Sequence, residues 1–220
     1  MSINYIDLLV IVVLLVSVFI GFKKGFLKTV TGLLAVMVSL ILAITLHPYV
    51  SEYLEKTPVY DTVYNTASSV LITPKETTGK ITDYGAGNLN LPREFTNNMQ
   101  ETIETAKENT ANKIAQTVAK ASIKIISMLL IFIVARLLFF VVTLLAGIIK
   151  KLPLIGWGDS LLGALLGLIR GFLIVYIIFM AFTILASFSP ENEWVRTIKY
   201  SEFAKILYND NVLLDFIYKG

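Results

Sequence analysis

Two arginines stand where arginine is expensive. Arg136 lies thirteen residues into an apolar run, and Arg170 lies about ten residues beyond Asp159 inside another. A guanidinium at mid-bilayer costs a few kcal/mol on insertion scales, so such residues pair, snorkel or bind something. Neither has an acidic partner at its own depth, because Asp7 and Asp159 both fall near the ends of their runs. The chemistry on offer is therefore anion binding, with each planar fork presented to an oxyanion. The alternative is an arginine that caps a broken helix or snorkels to the headgroups.

Other chemistry is sparse. His47 is the only histidine and cysteine is absent, which leaves no zinc ligand set, no disulfide framework and no serine or cysteine triad. Gly85-Ala86-Gly87 lacks the strand and helix of a phosphate loop, and Glu101, Glu104 and Glu108 repeat like a solvated helical face. No catalytic residue, metal site or cofactor is expected. The net charge of +3 does not point to nucleic acid.

The elements that must position the arginines are long apolar helices. The 220 residues are 55% hydrophobic and 16% charged, against about a quarter charged in a soluble domain. Mean hydropathy is +0.72. Crossing the roughly 30 Å hydrocarbon layer takes about 20 residues as helix, and the sequence predicts four such runs. They are residues 5–22, 26–46, 123–149 and 161–188. The predicted fold is an all-α integral membrane protein of about four transmembrane helices. Residues 1–47 form a first hairpin and 123–188 a second pair. A largely helical polar loop (48–122) and an amphipathic tail (189–220) complete it.

Within the loop, Val59, Tyr60, Val63 and Tyr64 predict a short helix before Pro74. Phe95, Met99, Ile103, Ala106, Ile114 and Val118 predict an amphipathic helix leading into the third run. The second run is expected to close at His47-Pro48, and Leu152 to Asp159 to form a loop.

Basic residues set the orientation, since positive charge stays cytoplasmic. Lys23, Lys24 and Lys28 follow the first run with no acid, Lys150 and Lys151 follow the third, and Met1 to Asp7 has no base. Both short loops are then cytoplasmic, and the termini, the 48–122 region and the tail extracytoplasmic. The positive charge comes after the first apolar run, so residues 1–22 read as an anchor and not as a cleaved signal peptide.

Two glycine patterns recur. Gly21-Phe22-Lys23-Lys24-Gly25-Phe26-Leu27 is echoed by Gly167-Leu168-Ile169-Arg170-Gly171-Phe172-Leu173. If the second copy also lies at the cytoplasmic face, the fourth run breaks near Arg170 and that arginine caps the break; this reading is preferred for Arg170. Gly163 and Gly167 form a small-xxx-small pair, which lets helix backbones approach within a bilayer. Packing inside the chain is the expected use, and homo-oligomerisation the sharper alternative.

Taken together, Asn4-Tyr5-Ile6-Asp7-Leu8-Leu9, the turn Gly21-Phe22-Lys23-Lys24-Gly25-Phe26 and Asp159-x3-Gly163-x3-Gly167-x2-Arg170-Gly171 resemble the colicin V production (CvpA-like) family of bacterial inner-membrane proteins. The polar tail with Trp194 also fits. The resemblance implies four spans, a location in the bacterial cytoplasmic membrane, and a role in bacteriocin production and envelope homeostasis without an assigned reaction. The structured polar 48–122 segment beside a compact membrane unit leads to the expectation of a membrane or envelope protein partner, engaged by that loop and the tail. The competing reading is a small oligomeric transporter or channel with an intramembrane arginine anion site.

Overall fold

The computed structural model describes residues 4–72, 91–97, 110–146, 157–189 and 192–219, and these are almost entirely helical. The first helix, α1 (Tyr5–Glu55), opens on Asn4, whose side chain accepts from the Ile6 N–H at 3.1 Å. At about 1.5 Å per residue its 51 residues would be far too long for one crossing. Gly25, at φ 73° and ψ 175°, divides it into arms 5–24 and 26–55.

The chain folds back at that glycine. The Thr29 hydroxyl reaches the carbonyl of Gly21 at 3.3 Å as well as that of Gly25 at 2.7 Å. In a straight helix residues eight apart are separated by about 12 Å along the axis.

After α1 come α2 (Pro58–Ile72), α3 (Thr110–Ala146) and α4 (Trp157–Phe188). Proline at the first position of α2 forgoes only an N–H that has no helical partner there. Among the described residues, three helices are long and apolar enough to cross a membrane: α1, α3 and α4. Several of their hydroxyl side chains are satisfied locally. Ser39, Ser127, Thr183 and Ser187 each donate to the carbonyl four residues earlier, so a polar residue enters an apolar helix without an unmet donor.

Both arms of α1 run along α4, in opposite senses. In the first arm Gly21 faces Gly163 and Gly167, and Ser17 faces Gly167 and Gly171. In the second, Gly32 meets the Arg170 guanidinium, while Val36, Leu40 and Ala43 join Met180 and Ala186 in the main core. The Gly25 turn thus marks one end of the bundle. At the other end the second arm, α3 and α4 outrun the first arm, which at 20 residues is about 30 Å long. That surplus carries a cap. Its tail helices are α5 (Glu193–Lys199), α6 (Phe203–Asn209) and α7 (Val212–Lys219). Leu213, Leu214 and Ile217 pack with Leu91, Phe95, Ile114 and Val118. Ile198, Ala204 and Tyr208 close over Ile6, Val10, Val175 and Phe179.

Several sequence-based expectations change here. The helix does not stop at His47-Pro48 but continues to Glu55, with His47 buried; proline forfeits one helical bond, and neighbouring helices hold the segment. Gly158 and Asp159 belong to the first turn of α4 and not to a loop, as suits an acid at a helix N-terminus. Nor does α4 break near Arg170: it is continuous from Trp157 to Phe188. The Gly25 and Gly171 motifs therefore differ in backbone, since only Gly25 has positive φ. The helix expected through Phe95 is described at 93–97 and again from Thr110; Met99, Ile103 and Ala106 lie outside the described residues, as do Lys150 and Lys151.

Candidate functional site

The Gly25 turn is built by three separate segments. Reversing the chain exposes the first N–H groups of the second arm, which have no helical acceptor. Asp159, from α4, supplies one: its carboxylate accepts from the Phe26 N–H at 3.1 Å. A Cβ on Gly25 would overlap that carboxylate, and its positive φ is in any case costly for an L side chain. Gly25 and Asp159 are thus a single structural device, and the carboxylate is occupied by a backbone donor.

From this turn a seam of small residues runs upward. A Cβ on Gly21 would enter the Gly163 carbonyl, one on Gly163 the Gly21 carbonyl, and one on Gly167 the Ser17 carbonyl. At Gly171 the contact loosens to the side chains of Leu14 and Ser17, at 3.0 to 3.3 Å. Backbones this close are the small-residue packing of membrane helices. The Gly163 and Gly167 face packs within the chain against α1.

Asp7 does at the cap end what Asp159 does at the turn. It is 6% exposed, and its carboxylate accepts from the N–H groups of Glu202, Phe203 and Ala204 at 3.0, 3.0 and 2.8 Å. It thereby caps α6, whose own preceding residue, Glu202, makes no side-chain cap. Asn4 adds a bond to the Thr197 carbonyl at 2.7 Å, and Tyr5 bonds Thr197 and stacks edge-on against Trp194.

Lys24 is exposed at the turn, and Lys23 lies 4.5 Å over the Phe19 ring.

The arginines are treated differently. Arg170 rests its guanidinium against Gly32, 3.7 Å from where a Cβ would stand, and its Nε is buried without a hydrogen-bond partner. Its Cα is eleven residues above Asp159, about 16 Å, whereas Gly32 is only seven residues beyond Gly25. A side chain on a helix leans toward that helix's N-terminus, so Arg170 reaches down toward the turn. Arg136, on α3, is partly desolvated and within range of the Arg170 charge. The structure therefore brings two cations of separate helices into one neighbourhood. Two ion pairs among the described residues, Lys56–Glu52 and Arg93–Asp210, both lie elsewhere and are solvent-exposed.

Some participants escaped the sequence reading. Ser17 continues the Gly21, Gly25 spacing one turn earlier, a four-residue period that was visible. Thr29, which ties the turn together, and Asn211, which is 1% exposed and donates to the Tyr176 carbonyl at 3.0 Å, carried no local signal. Tyr208 is wholly buried against Phe179; burial raises its phenol above the ordinary range and Thr183 bonds it, so it serves as a neutral polar contact.

A glycine-seamed helical bundle with a capped end, in which three described helices are long and apolar enough to cross a membrane, defines a multi-pass membrane protein. The family model described as colicin V production protein matches residues 6–74 and 95–209. The chain belongs to that family. No curated protein and no solved structure matches it.

Proposed function

We propose that the chain crosses the bacterial cytoplasmic membrane four times and acts without a reaction of its own, by docking an envelope protein on its extracytoplasmic cap. The family is described by colicin V production and not by a reaction, which is compatible with an assisting role in toxin export or envelope homeostasis. The observation that carries the reading is the cap itself. Asp7 and Asn211 lock the tail helices in place with buried hydrogen bonds, yet Tyr200, Phe203, Ile206 and Phe216 remain outward and exposed. A segment needed only to cover the core would not require an aromatic outer face, and aromatic residues are enriched where proteins dock.

Four crossings follow if the two arms of α1 each span. The orientation is supported by the lysines at the Gly25 turn, which the positive-inside bias assigns to the cytoplasm.

A photo-crosslinking residue at Tyr200 or Phe203, one per variant, tests the docking in intact cells. Discrete protein adducts at both positions are expected. Adducts to lipid alone, with the protein correctly inserted, would sink the reading and make this face a membrane anchor. A single cysteine at Asn65, an exposed position of α2 in a chain with no cysteine of its own, checks orientation: it labels from outside, and labelling only after permeabilisation reverses the topology.

A further inference from the structure

We propose that Lys28, Arg170 and Arg136 form a binding crevice for a phosphate-type oxyanion, entered from the Gly25 end of the bundle. This is separate from the docking reading and does not depend on it.

The first ground is a charge imbalance that the chain cannot correct. Between Asp7 and Glu52, between Glu108 and Asp159, and between Asp159 and Glu191 there is no acidic residue. The two carboxylates at the span ends are already engaged with backbone N–H groups, Asp7 at the cap and Asp159 at the turn. An arginine cannot discharge itself by losing a proton, and desolvating one without a counter-charge is costly. Two of them near each other double the demand for an anion.

The second ground is geometric. Lys28 is one helical turn below Gly32 on the second arm, on the face where Arg170 rests. Cations at a helix N-terminus are disfavoured by its dipole, so Lys28 adds to a positive field at the mouth of the crevice. The three cations then rise from the turn into the bundle on three elements: the second arm, α4 and α3.

The third ground is access. The half of α3 near Arg136 is not packed round: Ile133, Val134, Leu137, Leu138, Phe140 and Val141 are all exposed. It leans chiefly on α1 and touches α4 sparsely, which leaves Arg136 only partly buried. Gly32 contributes no side chain beside the Arg170 guanidinium.

A planar fork with parallel donors is suited to phosphate oxygens. The same chemistry is carried by an anionic lipid headgroup and by free phosphate, and the test separates them. Full-length protein is purified in mild detergent. Phosphatidylglycerol and phosphatidylcholine of matched chains are titrated by native mass spectrometry, with and without inorganic phosphate. The expected result is a preference for phosphatidylglycerol of about tenfold or more, as for a charge-assisted site, lost in the R136Q/R170Q variant. If inorganic phosphate leaves the lipid bound, the ligand is the headgroup. If it displaces the lipid, or stabilises the protein alone, the ligand is the free oxyanion. Equal binding of the two lipids with no response to phosphate overturns the proposal, as does a double variant that binds like the wild type. Should the double variant not fold, Lys28→Gln at the mouth and R170K, which keeps charge but loses the fork, decide: each should weaken binding several-fold, and wild-type affinity in both overturns the site.

Discussion

The interface of α1 with α4 and the lower half of α3 are made of similar apolar stock and behave oppositely. In the first, Ser17, Gly21 and Gly25 meet Gly163 and Gly167 so closely that a methyl added at Gly21, Gly163 or Gly167 would enter backbone. In the second, large aliphatic and phenylalanine side chains point outward around most of the helix. Among helices in lipid there is no hydrophobic reward for association, so contact depends on how near the backbones can come. Small residues every fourth position close the first interface. The absence of any such line on residues 130–142 leaves α3 in only sparse contact with α4.

The comparison can be broken most severely at the seam. Gly21→Leu should prevent accumulation of folded protein, since its side chain must displace the Gly163 backbone. Overpacking typically costs about 1–3 kcal/mol and more where backbone must move; monodisperse yield on size exclusion reads it. Next comes Asp7→Ala, which strands three N–H groups at the cap. Hydrogen bonds to a charged group are worth about 1.5–3 kcal/mol net, so the tail should become protease-sensitive while the spans stay intact. Gly25→Ala combines left-handed backbone, about 1–2 kcal/mol, with the clash against Asp159. Adding Asp159→Ser should return part of the loss in thermal unfolding but not the backbone share. The smallest effect belongs to the other side of the comparison. Leu138→Ala, at a residue 62% exposed, should change stability by less than about 0.5 kcal/mol. A loss as large as that of Gly21→Leu would show that a partner or a second copy covers α3.

Much of the architecture was readable in one dimension. Length of apolar run against bilayer thickness is a local property, and it predicted α1, α3 and α4. Valine and tyrosine spacing predicted α2. The limits of that reasoning appear at its boundaries. Pro48 was expected to end a helix because proline breaks isolated ones, but packed helices tolerate it. Arg170 was expected to cap a break because its motif echoes the one at Gly25, yet a motif does not state its own backbone angle: Gly171 is ordinary helix and Gly25 is not.

By itself, then, the sequence determined which segments are apolar helices, where small residues line one face, and that no acid exists in the spans to balance Arg136 and Arg170. Only the tertiary structure decided which faces meet. It set Asp159 on Phe26, 133 residues away, and Asp7 on the start of α6, nearly two hundred residues away. It also laid the Arg170 guanidinium against Gly32 on another helix. Periodicity is an intrahelical property carried by neighbours three and four residues apart. The choice of partner depends on the shapes and unmet donors of segments that meet only when the bundle closes.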